Sequence, residues 1–408
     1  MGERCVQRAV IVVMAACLSV VAFAQAPGDS AAAGYMERVE VSLLTCSPHD
    51  EVYALYGHTA LRCRVSGTSD DWVFSYGVFN FNVPFFALRF ALGKTDYELG
   101  VLPYSAFRQE YVSLGCTVRE QVLNLTPEEK SRVLTMLYDN YLPENRVYRY
   151  NFFYNNCTTK ARDVIENSIG GRVVYDETGY AGQTMREALH VFTAGHPWAE
   201  LGDDIALGAG ADMPLTHRER QFLPRYLMED FDKAKIYSGG EYRPLVRSAR
   251  VIVAGRETAE GGASIARPLT FAVILLLVSL AVAVVERRRG MLCRAWDIVL
   301  MGATGIAGVV VLLLFFSEHP SSNTNIQVLL LNPLSLVFIP AVARGRGRAY
   351  WKMMTVLLAL FLAGGVFQDY GEGMELVCLS MLTRCVMHLR PQGTMGRVDT
   401  DKKTMRKE

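Results

Sequence analysis

A cysteine at the start of a helical pattern is the first residue in this sequence that is placed to do chemistry. Cys157 lies in the stretch "YNNCTTKARD", where Asn155 or Asn156 can cap a helix, and the apolar residues after it keep helical spacing until Gly170. The unpaired amides and the dipole at a helix N-terminus stabilise a thiolate. The pattern therefore favours a nucleophile, but a buried inert cysteine and a disulfide partner fit the same residues.

A nucleophilic thiol needs a base, and His58 has the most suitable setting for one. It follows Gly57 in "YALYGHTALRC" and opens an apolar, alternating stretch that is typical of a strand. A strand would hold the imidazole rigidly, and the small Ala60 on the same face leaves space beside it. Residue type alone leaves both a base and a hydrogen-bonded structural histidine as interpretations.

The elements around these two residues predict an α+β domain. The stretch "TPEEKSRVLTMLYDNYL" carries helix-start signals, with Thr126 as the N-cap, Pro127 as the first helical residue and Glu129 completing a capping box. Strand-like alternation or β-prone composition marks four stretches: "MERVEVSLLTC", "HTALRCRV", "DWVFSYGVFNF" and "YRPLVRSARVIVA". We therefore predict one mixed domain over residues 25–256.

The N-terminus has the pattern of a secretory signal. Two arginines precede an apolar run, and "AFA" at residues 22–24 is a cleavage site of the A-x-A type. We predict a signal peptide over residues 1–24; a lipoprotein signal ending at Cys17 and an uncleaved anchor are the alternatives. Each of the three sends the following domain across the membrane.

The compartment on the far side of that membrane permits disulfides. Cys46, Cys63 and Cys116 share the predicted domain with Cys157, and three cysteines can form one disulfide with one left over. The sequence does not choose the pair. We expect Cys46 with Cys63, because the two lie on strands predicted to be neighbours.

The C-terminal third of the chain is apolar enough to enter a membrane. A linker at 257–267 leads into residues 268–390, where five apolar runs are expected to span the bilayer: 268–285, 298–316, 326–342, 352–367 and 374–389. Loops rich in arginine alternate with loops that lack Lys and Arg, and the tail at 391–408 is basic. This alternation predicts a multi-pass protein of the inner membrane with residues 25–267 in the periplasm.

Composition and the missing motifs exclude several classes of function. The 42 basic residues balance 41 acidic ones, and no basic-aromatic patch or zinc-finger spacing occurs, so we expect no nucleic-acid partner. The "GKT" at 93–95 is not a phosphate loop, because Leu88 stands where that motif needs glycine. No Cys-x-x-Cys pair and no H-E-x-x-H motif is present, so we expect neither a metal site nor a cofactor.

Several stretches together resemble the Lnb-type lipoprotein N-acyltransferases. They are "YGHTALRC" (56–63), "FSYGVFNF" (74–81), "LGKTDYEL" (92–99), "ENRVYRYNFFYNNCTTKARD" (144–163) and "FFSEHPSSNTNIQVLLLNPL" (315–334). The resemblance covers most of residues 38–340 and includes the order of a periplasmic domain followed by membrane spans. Asn155 departs from the acidic residue expected there in relatives.

The resemblance implies a fold and a set of site residues. The order of histidine and then cysteine is similar to circularly permuted papain-like folds, in which a cysteine at a helix N-terminus faces a histidine on a strand. On that likeness Cys157 is the nucleophile and His58 the base. The resemblance implies no third residue; by their positions in the sequence, other candidates could orient the imidazole or stabilise an oxyanion: Ser75, Tyr76, Asn80, Asn156 and Thr158. Residues that could meet a lipid are Arg62, His319, Asn323 and Asn325, with a surface salt bridge and a polar loop as the alternatives.

The same resemblance implies an activity. A phospholipid would donate an acyl chain to Cys157 as a thioester, and the α-amino group of a diacylglyceryl-cysteine lipoprotein would accept it. The residues alone allow two other classes: a membrane-tethered cysteine hydrolase acting on a peptide, amide or lipid ester, and a non-catalytic envelope assembly protein whose Cys157 is structural.

Overall fold

The computed structural model describes residues 30–49, 51, 54–80, 82–256, 266–319 and 321–390. The predicted signal peptide, most of the predicted linker and the predicted tail lie outside these described residues. The chain divides into two compact units, Met1–Phe192 with Pro214–Ala259, and Thr193–Met213 with Glu260–Glu408. The first unit differs from the predicted domain at 25–256 because the segment Thr193–Met213 groups with the second.

A seven-stranded antiparallel sheet forms the centre of the first unit, in the order β10-β5-β1-β2-β3-β4-β6. Its strands are β1 (Val39–Cys46), β2 (His58–Val65), β3 (Asp71–Val78), β4 (Asp96–Pro103), β5 (Val118–Leu123), β6 (Val147–Arg149) and β10 (Val246–Val253). A smaller sheet contains β7 (Arg172–Val174), β8 (Lys235–Ser238) and β9 (Glu241–Pro244). Strands and helices are thus mixed along the chain, as the α+β prediction requires.

Helices cover both faces of the large sheet. In chain order, the α-helices of the first unit are α1 (Ser30–Arg38), α2 (Phe86–Ala91), α3 (Tyr104–Leu114), α4 (Pro127–Tyr141), α5 (Cys157–Ser168), α6 (Met185–Thr193) and α8 (Pro224–Lys233). Val41 and Leu43 of β1 pack on one face with residues of α4, α5 and α8. Leu44 packs on the other face with Phe107 of α3. Coverage of both faces explains why β1 is almost entirely buried.

Both helix starts predicted next to capping residues are confirmed. The Thr126 side chain accepts a hydrogen bond from the Glu129 amide, and the Glu129 carboxylate accepts one from the Thr126 amide. Asn156 caps α5 in the same way, with Thr159 as the reciprocal partner. The capping box of Thr126 and Glu129 depends only on residues three positions apart, so it could be predicted without knowledge of the fold.

The second unit is helical. It contains α7 (Pro197–Ala206), α9 (Pro268–Arg289), α10 (Arg294–Leu314), α11 (Leu334–Ala343), α12 (Arg348–Gly364) and α13 (Met374–Leu389). Within the described residues, three helical stretches are long and apolar enough to cross a membrane: Pro268–Arg289, Arg294–Leu314 and Ile326–Ala343. The other two predicted spans form α12, with 17 residues, and α13, with 16 residues. Both are shorter than the 18 residues taken here as the minimum for a membrane span.

The segment Thr193–Met213 is held to the loop between α10 and α11 by hydrogen bonds within the second unit. The Gly208 amide donates to the Ser321 carbonyl over 2.7 Å. The side chain of Asn325 donates to the Ile205 carbonyl, and that of Gln327 to the Asp204 carbonyl, each over 2.7 Å. These bonds join residues more than a hundred positions apart, so sequence patterns did not predict them.

Candidate active site

Cys157 is the first residue of α5, and the Asn156 side chain fixes its position. Oδ1 of Asn156 accepts hydrogen bonds from the amides of Thr158 and Thr159, each over 2.9 Å. Its Nδ2 donates to the carbonyls of Phe152 and Phe222, each over 2.8 Å. All of the polar capacity of Asn156 is therefore used to hold the helix N-terminus, and the residue is a cap rather than an oxyanion donor.

His58 opens β2, and the structure brings its imidazole to Cys157. Nε2 of His58 lies 2.8 Å from Oγ of Ser75 on the neighbouring strand β3. The imidazole and the Cys157 thiol lie close enough that each shifts the pKa of the other. Because Ser75 occupies Nε2, Nδ1 is the ring nitrogen left for the thiol.

Gly77 on β3 lies against both groups. A Cβ atom built on this glycine would be 3.7 Å from Cβ of Cys157 and 4.0 Å from Cε1 of His58. Its φ of +98° is a conformation that glycine adopts without strain. A glycine inside a strand often marks the close approach of other groups, and this signal could have placed β3 at the site from the sequence.

Threonines on two elements hold the thiol from the other side. The hydroxyls of Thr59 on β2 and Thr158 on α5 lie 3.1 Å apart and are buried. The Thr158 hydroxyl also lies 3.7 Å from Sγ of Cys157. The backbone amide of Thr59 is near enough to the same sulfur to lower the pKa of the thiol. Thr59 was not among the predicted site residues, although it directly follows His58.

Opposing effects set the protonation of the pair. Burial raises the pKa of the Cys157 thiol, but the charge and hydrogen bond of His58, the Thr59 amide and the Thr158 hydroxyl together bring that pKa below its ordinary value. Burial lowers the pKa of His58, but the adjacent Cys157 and, beyond it, Glu110 bring that pKa above its ordinary value. Both net shifts favour a thiolate beside an imidazolium, which is the reactive form of such a pair.

Aromatic side chains form one wall of the site. Tyr97 on β4 stacks on Tyr150 with ring centroids 4.0 Å apart, and Phe79 stacks on Tyr97 at 4.9 Å. Burial raises the pKa of both tyrosines, and the nearby Cys157 raises them further. These phenols therefore stay neutral and present an apolar surface beside the thiol.

Two further predicted residues lie away from the pair. The Tyr76 hydroxyl accepts a hydrogen bond from Nδ2 of Asn140 over 2.7 Å, and its ring is buried in the core under the sheet. Oδ1 of Asn80 accepts the amide of Asn82 in the turn after β3. Of the three residues considered to orient the imidazole, Ser75 is the one that contacts it.

The expectation for Arg62 needs correction. Its guanidinium is buried and donates to both carboxylate oxygens of Asp71, at 2.7 and 2.5 Å, and to Glu120 at 2.9 Å. It also lies 3.4 Å from the centre of the Tyr104 ring. These contacts occupy the guanidinium, so Arg62 is a structural ion pair of the core and not a site for a lipid phosphate.

The residues of the second unit that were predicted to contact a lipid differ in how deeply they are buried. Asn325 is buried: its side chain accepts the Gln327 amide over 3.0 Å, as well as making the bond to Ile205 described above. That role is structural. His319 is also buried, whereas Asn323 is exposed to solvent.

The expected disulfide between Cys46 and Cys63 is wrong. The register of β1 and β2 pairs Cys46 with His58 and Cys63 with Val41. Five residues of extended strand separate Val41 from Cys46, which is about 16 Å. Disulfides need Cα atoms within about 7 Å. The two thiols also face different cores, one on each side of the sheet.

No group of three or more His, Cys, Asp or Glu side chains that could hold a metal ion occurs in the described part of the chain. The site is therefore built from a thiol, an imidazole, hydroxyls, backbone amides and aromatic rings.

Comparison with known protein families identifies both parts of the chain. Residues 32–188 match the Lnb N-terminal periplasmic domain, and residues 260–393 match the Lnb transmembrane domain. No curated protein and no solved structure shows significant similarity to the chain. Cys157 and His58 both fall within the first match, and all three helical stretches able to span a membrane fall within the second. The chain is thus a membrane protein with a periplasmic portion, and it belongs to the Lnb-type family.

Proposed function

We propose that this protein is a membrane-bound lipoprotein N-acyltransferase that uses Cys157 as its nucleophile and His58 as its base. The observation that carries the proposal is the Cys157–His58 pair at the N-terminus of α5, in a chain of this family. The arrangement of a histidine on a strand and a later cysteine at a helix N-terminus supports a permuted papain-like fold for the periplasmic domain. A location in the inner membrane, with five spans, fits the alternation of basic loops.

In the first half-reaction, the Cys157 thiolate attacks an ester carbonyl carbon of a phospholipid. The tetrahedral intermediate collapses when the bond from carbon to the leaving oxygen breaks, and the His58 imidazolium gives its proton to that oxygen. The products are a lysophospholipid and a thioester on Cys157. Ser75 keeps the imidazole oriented while its proton is transferred.

The oxyanion of that intermediate lies next to the Cys157 amide. As the first residue of α5 this amide has no partner inside the helix, and no described residue accepts a hydrogen bond from it. The Thr158 amide, considered for the same role, already donates to Asn156. The Cys157 amide is therefore the donor at the helix N-terminus that is available for a developing negative charge.

In the second half-reaction, the α-amino group of a diacylglyceryl-cysteine lipoprotein attacks the thioester. His58 takes a proton from the amine, the C–S bond breaks, and the thiolate returns as the N-acylated lipoprotein leaves. The aromatic wall of the site limits water, which would otherwise hydrolyse the thioester. Both substrates are held in a bilayer, which gives a physical reason for one chain to carry a periplasmic domain and a transmembrane domain.

The test is acyl transfer by the purified full-length protein in nanodiscs. Phospholipid with an isotope-labelled acyl chain is mixed with a synthetic diacylglyceryl-cysteine lipopeptide, and products are identified by mass spectrometry. We expect labelled N-acyl lipopeptide, a hydroxylamine-sensitive acyl group on Cys157, and loss of both in Cys157→Ala. Labelled fatty acid without acylated lipopeptide would instead indicate the hydrolase, and equal products from the wild type and Cys157→Ala would eliminate a catalytic Cys157.

A further inference from the structure

An exposed apolar segment follows directly on the strand that carries Ser75 and Gly77. This aromatic segment comprises residues 79, 80 and 82–92 and includes α2. Side chains at its tip are open to solvent: Phe85 is 79% exposed, Leu88 44% and Val83 38%. None of the six residues of α2 is buried, although five of them are apolar. Contiguous exposed apolar surface of this kind is typical of a site that contacts a membrane or a partner.

The backbone at the tip is strained. Phe85 has φ +57° and is the one non-glycine residue with positive φ in the described part of the chain. A left-handed conformation is unfavourable for a bulky side chain, and such strain is concentrated at functional positions. Here it directs a large aromatic ring into solvent.

Stacked aromatic rings connect α2 with the aromatic wall of the site. Phe86 stacks on Phe79 with centroids 5.4 Å apart, Phe79 stacks on Tyr97, and Tyr97 stacks on Tyr150. Phe90 approaches Tyr150 from the other end of α2, at 6.1 Å. Two residues before Phe79, the backbone of β3 touches Cys157 and His58. The stacked rings thus connect α2 with Tyr97 and Tyr150, which are near enough to Cys157 for the thiol to raise the pKa of both phenols.

The charges beside the segment select a lipid as its occupant. Arg89 within α2 and Lys94 just after it are exposed. Cations beside inserted apolar side chains are typical of segments that bind at the interface of a phospholipid bilayer, where they meet the phosphates. The chain supplies a nearby bilayer, because a transmembrane domain follows the periplasmic domain.

We propose that the aromatic segment inserts its tip into the bilayer and that the tip, together with the stacked rings behind it, guides an acyl chain of a phospholipid to Cys157. The insertion of Phe85, Leu88 and Val83 does not depend on the reaction at Cys157. The guiding of an acyl chain rests on the proposed acyltransferase function. The two parts are therefore tested separately.

Insertion is tested by photo-crosslinking of the full-length Cys157→Ala protein in nanodiscs of phosphatidylethanolamine and phosphatidylglycerol. A benzophenone amino acid replaces Phe85 or Leu88, or, as a matched control, Tyr242, which is 58% exposed in the small sheet. We expect phospholipid adducts at positions 85 and 88 in at least tenfold excess over position 242. Equal yields at the three positions, or adducts to a second protein chain in place of lipid, would refute insertion.

Guiding is tested by the kinetics of variants at the tip. Loss of one aromatic ring from an apolar contact weakens it by roughly tenfold or more, so Phe85→Ser should raise KM for phospholipid by that factor. Phe85→Gly, which also relieves the strain, should behave in the same way, whereas Phe85→Trp and the control Tyr242→Ser should retain the wild-type KM. The rate of Cys157 alkylation should be equal in all four.

The outcomes separate this inference from the proposed function. Lipid adducts at position 85 without acyl transfer by the wild type would support membrane insertion and refute the proposed acyltransferase function. Acyl transfer with an unchanged KM in Phe85→Ser would leave the enzyme standing and remove the guiding role. A normal KM for Phe85→Gly beside a raised KM for Phe85→Ser would assign the effect to strain and also remove the guiding role.

Discussion

The reactivity of Cys157 depends on its neighbours more than on its burial. The site is partly closed, which by itself would keep the thiol protonated and inert. The His58 imidazole, the Thr59 amide and the Thr158 hydroxyl reverse that effect, because each stabilises negative charge on the sulfur. The helix N-terminus acts in the same direction. A cysteine at this position is therefore predisposed to react only while the imidazole is present.

The pH dependence of alkylation tests this balance. In the wild type, the pKa of Cys157 is lowered, so iodoacetamide should react with it at pH values below the range of an ordinary thiol. In His58→Ala the largest lowering influence is gone while burial remains, so the pKa rises and the inflection of the rate profile moves to higher pH. Cys157→Ala measures the background from other cysteines. An unchanged inflection in His58→Ala would show that the imidazole does not set the thiol pKa.

We expect Ser75, whose hydroxyl lies 2.8 Å from Nε2 of His58, to position the imidazole, with a modest effect on the rate. A neutral hydrogen bond contributes about 1 kcal/mol, which corresponds to roughly fivefold in rate. Ser75→Ala should therefore lower kcat of acyl transfer by about that factor with KM unchanged. Ser75→Thr retains the hydroxyl and should restore the rate. If both variants lost activity equally, packing at β3 rather than the hydrogen bond to Nε2 would be responsible.

At the scale of elements, the site depends on how α5 begins. Asn156 satisfies two amides of the helix and two carbonyls of other segments, so one side chain connects the helix start to Phe152 and Phe222. This connection sets the position of Cys157 relative to β2. A substitution at Asn156 should therefore change the position of the Cys157 thiol, although the Asn156 side chain caps the helix and does not bind the sulfur.

Hydrogen exchange measures that effect. Asn156→Ala removes an N-cap worth about 1 kcal/mol and leaves the carbonyls of Phe152 and Phe222 without this donor, so amides at the start of α5 should exchange several-fold faster. Asn156→Asp retains the capping oxygens and should show a smaller increase. The peptide covering α4 serves as an internal reference. Equal exchange at α5 in Asn156→Ala and the wild type would show that the cap does not hold this helix end.

The elements that the sequence predicted are those whose causes are local. Capping residues and apolar periodicity mark the starts of α4 and α5, and alternation marks β2, because these signals lie within one turn or one strand. The contact of Ser75 with His58 was one of three candidates, since it depends on the pairing of β2 with β3. The burial of the Arg62 ion pair and the position of Cys63 were not predicted, because the carboxylate of Glu120 and the register of β1 come from distant segments.

At the scale of the whole molecule, the boundary between the two units also depends on contacts between distant residues, which sequence patterns do not predict. No local pattern indicates that Thr193–Met213 groups with the transmembrane domain, because its hydrogen bonds reach residues after 320. The positions of the apolar helices were predicted closely, since apolar runs alone define them. The charged residues inside α13, in contrast, had three interpretations from sequence: they could extend to the interface, face the bundle or mark an interfacial helix.

The structure places those charges inside the helical unit. Arg384 is fully buried and donates to both oxygens of Glu286 on α9, each over 2.7 Å, and to Asp297 on α10 over 2.7 Å. His388 also contacts Asp297, at 2.8 Å, and stacks on Trp351 of α12. One guanidinium thus joins three helices.

Arg384→Met should therefore destabilise the protein more than removal of a surface charge. It leaves the carboxylates of Glu286 and Asp297 buried without their cation, a loss of about 3–5 kcal/mol. The measurement is the midpoint of thermal unfolding of the full-length protein in detergent, with the exposed Arg346→Met as the matched control. Adding Glu286→Gln and Asp297→Asn to Arg384→Met neutralises the orphaned carboxylates, so part of the lost stability should return. If Arg384→Met unfolded at the same midpoint as Arg346→Met, the ion cluster would not hold α9, α10 and α13 together.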